Sequence, residues 1–115
     1  MNLDKQKRLV EKLKNSTVGI AGCGGLGSNA AVSLARAGVG KIIIVDFDKI
    51  EESNLNRQYF FKDQIGKSKV ESLKENIQKI NSQIKIETYN EKLKKGSMHN
   101  YFSNCNTSYC LNLIS

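Results

Sequence analysis

Apolar residues in this chain fall into short continuous runs and helical stripes that alternate along its length. Val18, Gly19, Ile20 and Ala21 form a first apolar run, which ends in Gly22-Cys23-Gly24-Gly25-Leu26-Gly27. An alanine-rich stretch follows to Ala37, with Leu26, Ala30, Leu34 and Ala37 at helical spacing and Gly38 placed to stop it. A second apolar run, Ile42 to Val45, closes on Asp46. Its three consecutive isoleucines describe a strand covered on both faces, as in a parallel sheet flanked by helices. Further on, Val70, Leu73, Ile77 and Ile80 stripe a helix over 66–81. Ile84 and Ile86 alternate with polar residues in a third strand over 82–89, and 91–102 reads as a short helix. Ahead of all this, Leu3, Val10 and Leu13 share one face of a lysine-rich helix over 3–15, expected to pack on the domain or on a partner subunit.

Strand, glycine turn, helix, strand and acid, in that order, predict an α/β fold: a Rossmann-like three-layer αβα arrangement with a mostly parallel sheet. The same layout is a nucleotide fingerprint. Glycines let the backbone turn sharply off the strand and approach a phosphate with no Cβ in the way. Free N–H groups at the start of the next helix, near Leu26, favour negative charge there. Asp46 lies nineteen residues past Gly27, about where an acid meets ribose hydroxyls. Without a ligand, the pattern would be a tight turn beside a solvated Asp46. The strand before it and the helix after it favour the nucleotide.

Composition narrows this only a little. A chain of 115 residues suits one domain and is short for a complete doubly wound enzyme. Its 18 basic and 11 acidic residues give a net charge of +7, but the lysines are scattered rather than clustered with aromatics, which argues against a nucleic-acid partner. No apolar run is long enough for a bilayer, and the N-terminus lacks the apolar core of a signal peptide, so the expected location is the cytoplasm, with no membrane partner. Three cysteines make no disulfide framework here: Cys23 sits inside the glycine turn, and the single Cys105/Cys110 pair has neither the spacing nor the second pair of a zinc site.

The polar stretch 48–63 has little periodicity, and sixteen irregular residues in so small a domain suggest a working loop. It leaves the sheet at the carboxyl end of the second strand, where ligands bind in open α/β folds. Asn54, Asn56, Arg57 and Gln58 offer donors to a phosphate or ribose, and Tyr59, Phe60 and Phe61 are expected to anchor the loop. Lys69 falls in the first turn of the next helix, where a cation opposes the helix dipole unless an anion lies nearby.

Taken together, GCGGLGSNAA (22–31), GVGKIIIVDFD (38–48), SNLNRQ (53–58) and GKSKV (66–70) resemble the ThiF, MoeB and ubiquitin-activating-enzyme family over residues 16–104, with the nearest likeness to the ThiF branch. SNLNRQ after an aspartate-tipped strand is the specific part, because dehydrogenases have no such loop. The resemblance implies an adenylyltransferase that uses Mg-ATP to activate the C-terminal glycine of a ubiquitin-like sulfur carrier, ThiS-like, in thiamine biosynthesis. It further implies a homodimer. Gly22, Gly24, Gly25 and Gly27 would lie along the phosphates, with Asp46 on the ribose and Asp48 beside it. Ser53, Asn54, Leu55, Asn56, Arg57 and Gln58 would form the cofactor loop. Arg57 and Lys69 would be the catalytic cations, and Arg8 is the one candidate for an arginine lent across the dimer.

The family's magnesium-binding aspartate has no counterpart: after Asn104-Cys105 the chain reads NTSYCLNLIS. No metal ligand is therefore assigned, and the magnesium site is expected to be incomplete. The sequence divides into a helix over 1–15, a nucleotide-binding domain over 16–104 and a divergent tail over 105–115. In that tail Tyr109, Leu111 and Leu113 alternate as a strand would, and a truncation or a frame disruption near Asn106 is expected. Two other readings stay open: a non-catalytic nucleotide-binding or dimerisation remnant, and an NAD-binding dehydrogenase-like domain, which the SNLNRQ loop does not suit.

Overall fold

The computed structural model describes residues 2–92, 98–103 and 105. Helix α1 spans Leu3–Lys14 and is nucleated by Asn2, whose Oδ1 accepts the Lys5 N–H at 2.9 Å. Asp4 in its first turn and Lys12 and Lys14 in its last complement the helix dipole. Of its apolar residues only Leu13 packs against the core, whereas Leu3 and Val10 are 64% and 62% exposed. The expected apolar face therefore exists, but most of it lies uncovered on this protomer.

Strands β1 (Thr17–Ala21), β2 (Lys41–Asp46) and β3 (Lys85–Asn90) form a parallel sheet in the order β1-β2-β3. Ile20 pairs with Ile44, and Asp46 with Asn90, so the strands end together at one edge of the domain. Val18, Ile20, Ile42, Ile44 and Ile86 face helices α2 (Gly25–Ala37) and α3 (Lys69–Ile80) on one side. Ala21, Ile43 and Val45 face Phe102 of helix α4 (Met98–Phe102) and Cys105 on the other. This is the three-layer α/β sandwich expected from the isoleucine run. Each fully buried isoleucine contributes roughly 1.5–3 kcal/mol.

One buried face and two element starts differ from those expected. In α2 the buried face is Ala31, Val32 and Ala35, while Leu26 is 68% exposed and Ala37 also faces solvent. A helix lying this close to the sheet packs through small residues, so its one large N-terminal side chain is pushed outward. Helix α3 starts at Lys69 rather than at Gly66, because the preceding residues are bonded to the loop: Gly66 N–H donates to the Ile50 carbonyl at 2.8 Å, and Ile50 N–H to Lys67 at 2.9 Å. Ser68 then caps the helix, accepting the Glu71 N–H at 3.5 Å. Strand β3 begins at Lys85, with Ile84 buried just ahead of it. Part of the 91–102 helix and the tail residues Tyr109, Cys110, Leu111 and Leu113 lie outside the described residues.

Candidate functional site

The glycine turn, the carboxyl end of β2, the loop after it and the start of α3 meet at one end of the sheet. Gly22 leaves β1 with φ 93°, a left-handed conformation open to glycine at little cost, while its N–H still donates to the Val45 carbonyl at 2.8 Å. Among the described residues no side chain caps the start of helix α2, whose first-turn N–H groups can meet an anion. Its close approach to the turn is fixed by Gly27, where a Cβ would sit 1.9 Å from the Gly22 oxygen. Gly25 is the opposite case, with nothing nearer to an added Cβ than the Arg57 oxygen at 3.9 Å. A cavity of about 480 Å³ opens there, lined by Gly25, Leu26, Arg57 and Gln58.

Asp46 locks the turn to the sheet. Its Oδ2 accepts the Cys23 N–H at 2.7 Å, and its Oδ1 accepts the N–H groups of Phe47 at 2.7 Å and Asp48 at 3.1 Å. The acid that the sequence assigns to ribose is therefore a structural clasp as well, and its Oδ2 retains a lone pair for a hydroxyl. Asp46→Asn is expected to lower stability by about 1–3 kcal/mol in a urea titration, because the amide would turn an N–H₂ toward backbone donors. Cys23 is fully buried beside this carboxylate, and burial, reinforced by the charge of Asp46, pushes its thiol far above its ordinary range. It is an inert packing residue at neutral pH.

The loop is less irregular than its sequence, containing 3-10 turns at Glu52–Asn56 and Lys62–Gln64. Asn54 holds the first of these: its Oδ1 accepts the Glu51 N–H at 2.7 Å, which leaves its amide nitrogen to donate elsewhere. Leu55 packs against the core and anchors the loop, whereas Ser53 and Asn56 are exposed. Arg57 is exposed at the cavity wall, and among the described residues its guanidinium has no ion-pair or hydrogen-bond partner. The Gln58 Oε1 is buried and has no donor among the described residues, an unmet acceptor at the same wall. Of the aromatic trio expected as anchors, Phe60 is buried and Tyr59 packs on the core, but Phe61 is 49% exposed and meets Tyr59 edge-on at 5.9 Å.

Lys69 is the first residue of α3, and its side chain is only 7% exposed. Its one ion-pair partner among the described residues is the Asp48 Oδ2, at 3.9 Å. A buried ammonium held by a single long, half-exposed partner is under-compensated, and a second anion would relieve it. The Asp46 oxygens face backbone N–H groups, Asp48 faces Lys69, and among the described residues no three His, Cys, Asp or Glu side chains converge.

Sequence reasoning missed the polar framework behind the loop. The Ser28 hydroxyl donates to the Gly24 oxygen at 2.6 Å and accepts the Tyr59 N–H at 3.1 Å. Gln64 and Asn76 are buried and bonded to each other, with Gln64 Nε2 donating to Asn76 Oδ1 at 2.6 Å. Asn76 Nδ2 in turn donates to the Tyr59 carbonyl at 2.9 Å, and Gln64 Oε1 accepts the Phe61 N–H at 3.0 Å. One signal was available: Asn76 stands in the apolar phase of α3, between Leu73 and Ile77.

Comparison with known proteins agrees with this architecture. The model of the ThiF family matches residues 3–109. Ubiquitin-like modifier-activating enzyme 5 of Drosophila willistoni is 46% identical over 80 residues, covering 70% of this chain and 20% of the relative. The chain thus spans about a fifth of the length of the curated relatives it matches. The E. coli tRNA N6-threonylcarbamoyladenosine dehydratase TcdA, in complex with ATP, superposes with a TM-score of 0.88 at 29% identity, over 95% of this chain and 45% of that one. E. coli MccB with MccA gives 0.78 at 40% identity, over 82% of this chain and 28% of its own. Glycine turn, aspartate-tipped β2, arginine loop and buried lysine thus occur together on a fold shared with these proteins, and the chain belongs to the ThiF family.

Proposed function

We propose that the chain binds ATP across the end of β1 and β2 and forms the nucleotide-binding part of an adenylyltransferase. The observation that carries this reading is Lys69, a buried cation whose one ion-pair partner among the described residues is a carboxylate 3.9 Å away. The phosphates would run along Gly22, Gly24, Gly25 and Gly27, with the ribose at Asp46. Asn54 and Arg57 would hold the outer phosphates, and Asp48 would keep Lys69 oriented. A carboxylate oxygen of the substrate would attack the α-phosphorus while the bond to pyrophosphate breaks. No side-chain nucleophile is needed; Lys69, Arg57 and the α2 N–H groups would stabilise the charge that gathers on the leaving group.

The ATP-bound TcdA structure and the relationship to ubiquitin-like modifier-activating enzymes support this reading. The relationship to ubiquitin-like modifier-activating enzymes favours a ubiquitin-like acyl partner, and the motif resemblance narrows this to a ThiS-like sulfur carrier of thiamine biosynthesis. Homodimer formation draws support from the uncovered Leu3, Leu9 and Val10 of α1. The same feature is what a dimerisation module without catalysis would display.

The test is a thermal-shift titration. ATP is expected to raise the melting temperature, by the equivalent of about 2.7 kcal/mol at a hundredfold excess over Kd. Arg57→Ala is expected to cut that shift sharply while leaving the unliganded melting point in place. Equal stabilisation by NAD and ATP would favour a dehydrogenase-like site instead. Pyrophosphate exchange with a sulfur carrier should be weak for these 115 residues alone, since no third carboxylate joins the site among the described residues.

A further inference from the structure

On the nucleotide reading above, we infer that Asn29 is a positioning residue for Arg57, tying the arginine's backbone to the glycine turn. The Asn29 Nδ2 donates to the Gly25 carbonyl at 2.6 Å and to the Arg57 carbonyl at 2.8 Å. One amide therefore joins the first residue of α2 to the loop, across the cavity that Gly25 and Arg57 line. Two residues on, Ser28 holds the Tyr59 N–H and Asn76 holds the Tyr59 carbonyl. The backbone from Arg57 to Tyr59 is thus tied to α2 and α3 at three points; the Arg57 N–H is held within the loop by the Asn54 carbonyl, and the Arg57 carbonyl is held across the cavity by Asn29.

This matters because the Arg57 side chain has no partner of its own among the described residues. A guanidinium with free rotamers reaches a phosphate reliably only if the base of its side chain is fixed, since each added freedom must be lost on binding. Asn29 has no place in the core. It lies on the exposed side of α2 among helix positions where alanine is the better helix former, so neither packing nor propensity favours an asparagine there. What its amide does is hold two carbonyls that belong to the two walls of one cavity.

A double-mutant cycle tests this by calorimetry, with ATP and adenosine as titrants. Arg57→Ala should weaken ATP by roughly 10- to 100-fold, the range for losing a hydrogen bond to a charged group. Asn29→Ala should weaken ATP about fivefold through misplacement alone, leave adenosine unchanged, and add nothing once Arg57 is alanine. A loss that adds fully to that of Arg57→Ala, an equal loss for adenosine, or undiminished ATP binding while Arg57→Ala is weakened would each overturn the inference. If Arg57→Ala itself binds ATP normally, the nucleotide reading of the loop fails and the inference falls with it. Should Asn29→Ala fold poorly, Asn29→Leu, which keeps the side chain's size and removes the donor, carries the same cycle.

Discussion

Gly27→Ala is expected to destabilise the domain by about 3 kcal/mol, the upper part of the range for forcing an extra methyl into a packed site. The added Cβ would lie 1.9 Å from the Gly22 oxygen and 2.9 Å from its carbon. Both are backbone atoms, so no rotamer change relieves the overlap; α2 must lift off the turn. Elsewhere in a helix the same change would gain about 1 kcal/mol from propensity, which makes a net loss diagnostic. Gly25→Ala is the matched control. Its Cβ meets nothing closer than 3.9 Å, so urea midpoints should hold, yet the methyl enters the cavity and should reduce the ATP-induced shift. If Gly27→Ala unfolds at the parent's midpoint, the helix does not approach the turn as described.

Lys69→Met separates binding from folding in the opposite way. The side chain is 7% exposed and its carboxylate partner is 3.9 Å away, so the folded protein bears the desolvation of an ammonium with little in return. A methionine of similar length removes that burden. Unliganded stability should stay level or rise, as it does when poorly compensated buried charges are replaced by apolar groups. ATP affinity should fall by roughly 100-fold, the size of a lost hydrogen bond between charged partners at the strong end of its range. A variant that binds ATP normally would show that the lysine serves only to steady Asp48. One that unfolds would show that the ion pair is needed by the fold.

The parts legible from sequence were those in which one short segment determines its own conformation. Isoleucines 42 to 44 could only be a doubly covered strand, and the Gly22–Gly27 turn with Asp46 beyond it needed no distant contact to be recognised. Lys69 stands out by a local contradiction, a cation at the positive end of a helix, and the structure places its side chain in a buried position. The face of α2 was misjudged because alanines and glycines carry little hydrophobic contrast, so Leu26 dominated the pattern although it points outward. The bonds linking Ser28, Asn29, Gln64 and Asn76 to the loop were not readable, since each joins groups brought together only by packing of α2 and α3. A buried amide looks like a solvated one until its partner is known. The clue at Asn76, a polar residue in an apolar stripe, is of a kind that can be sought deliberately in other sequences.

The parallel pairing of β2 with β3 also has a kinetic consequence. Nothing between Asp46 and Lys85 can be skipped when those two strands meet, so the entropy of closing that whole excursion must be met before their ladder contributes. Refolding on the millisecond-to-second scale follows, slower than for a helical bundle of this length. The arginine loop lies within that excursion, bonded to α2 through Ser28 and Asn29 and to α3 through Asn76. Because Leu55, Tyr59 and Phe60 of that loop belong to the same core, the capacity to recognise a ligand would arrive with the hydrophobic layers and not ahead of them.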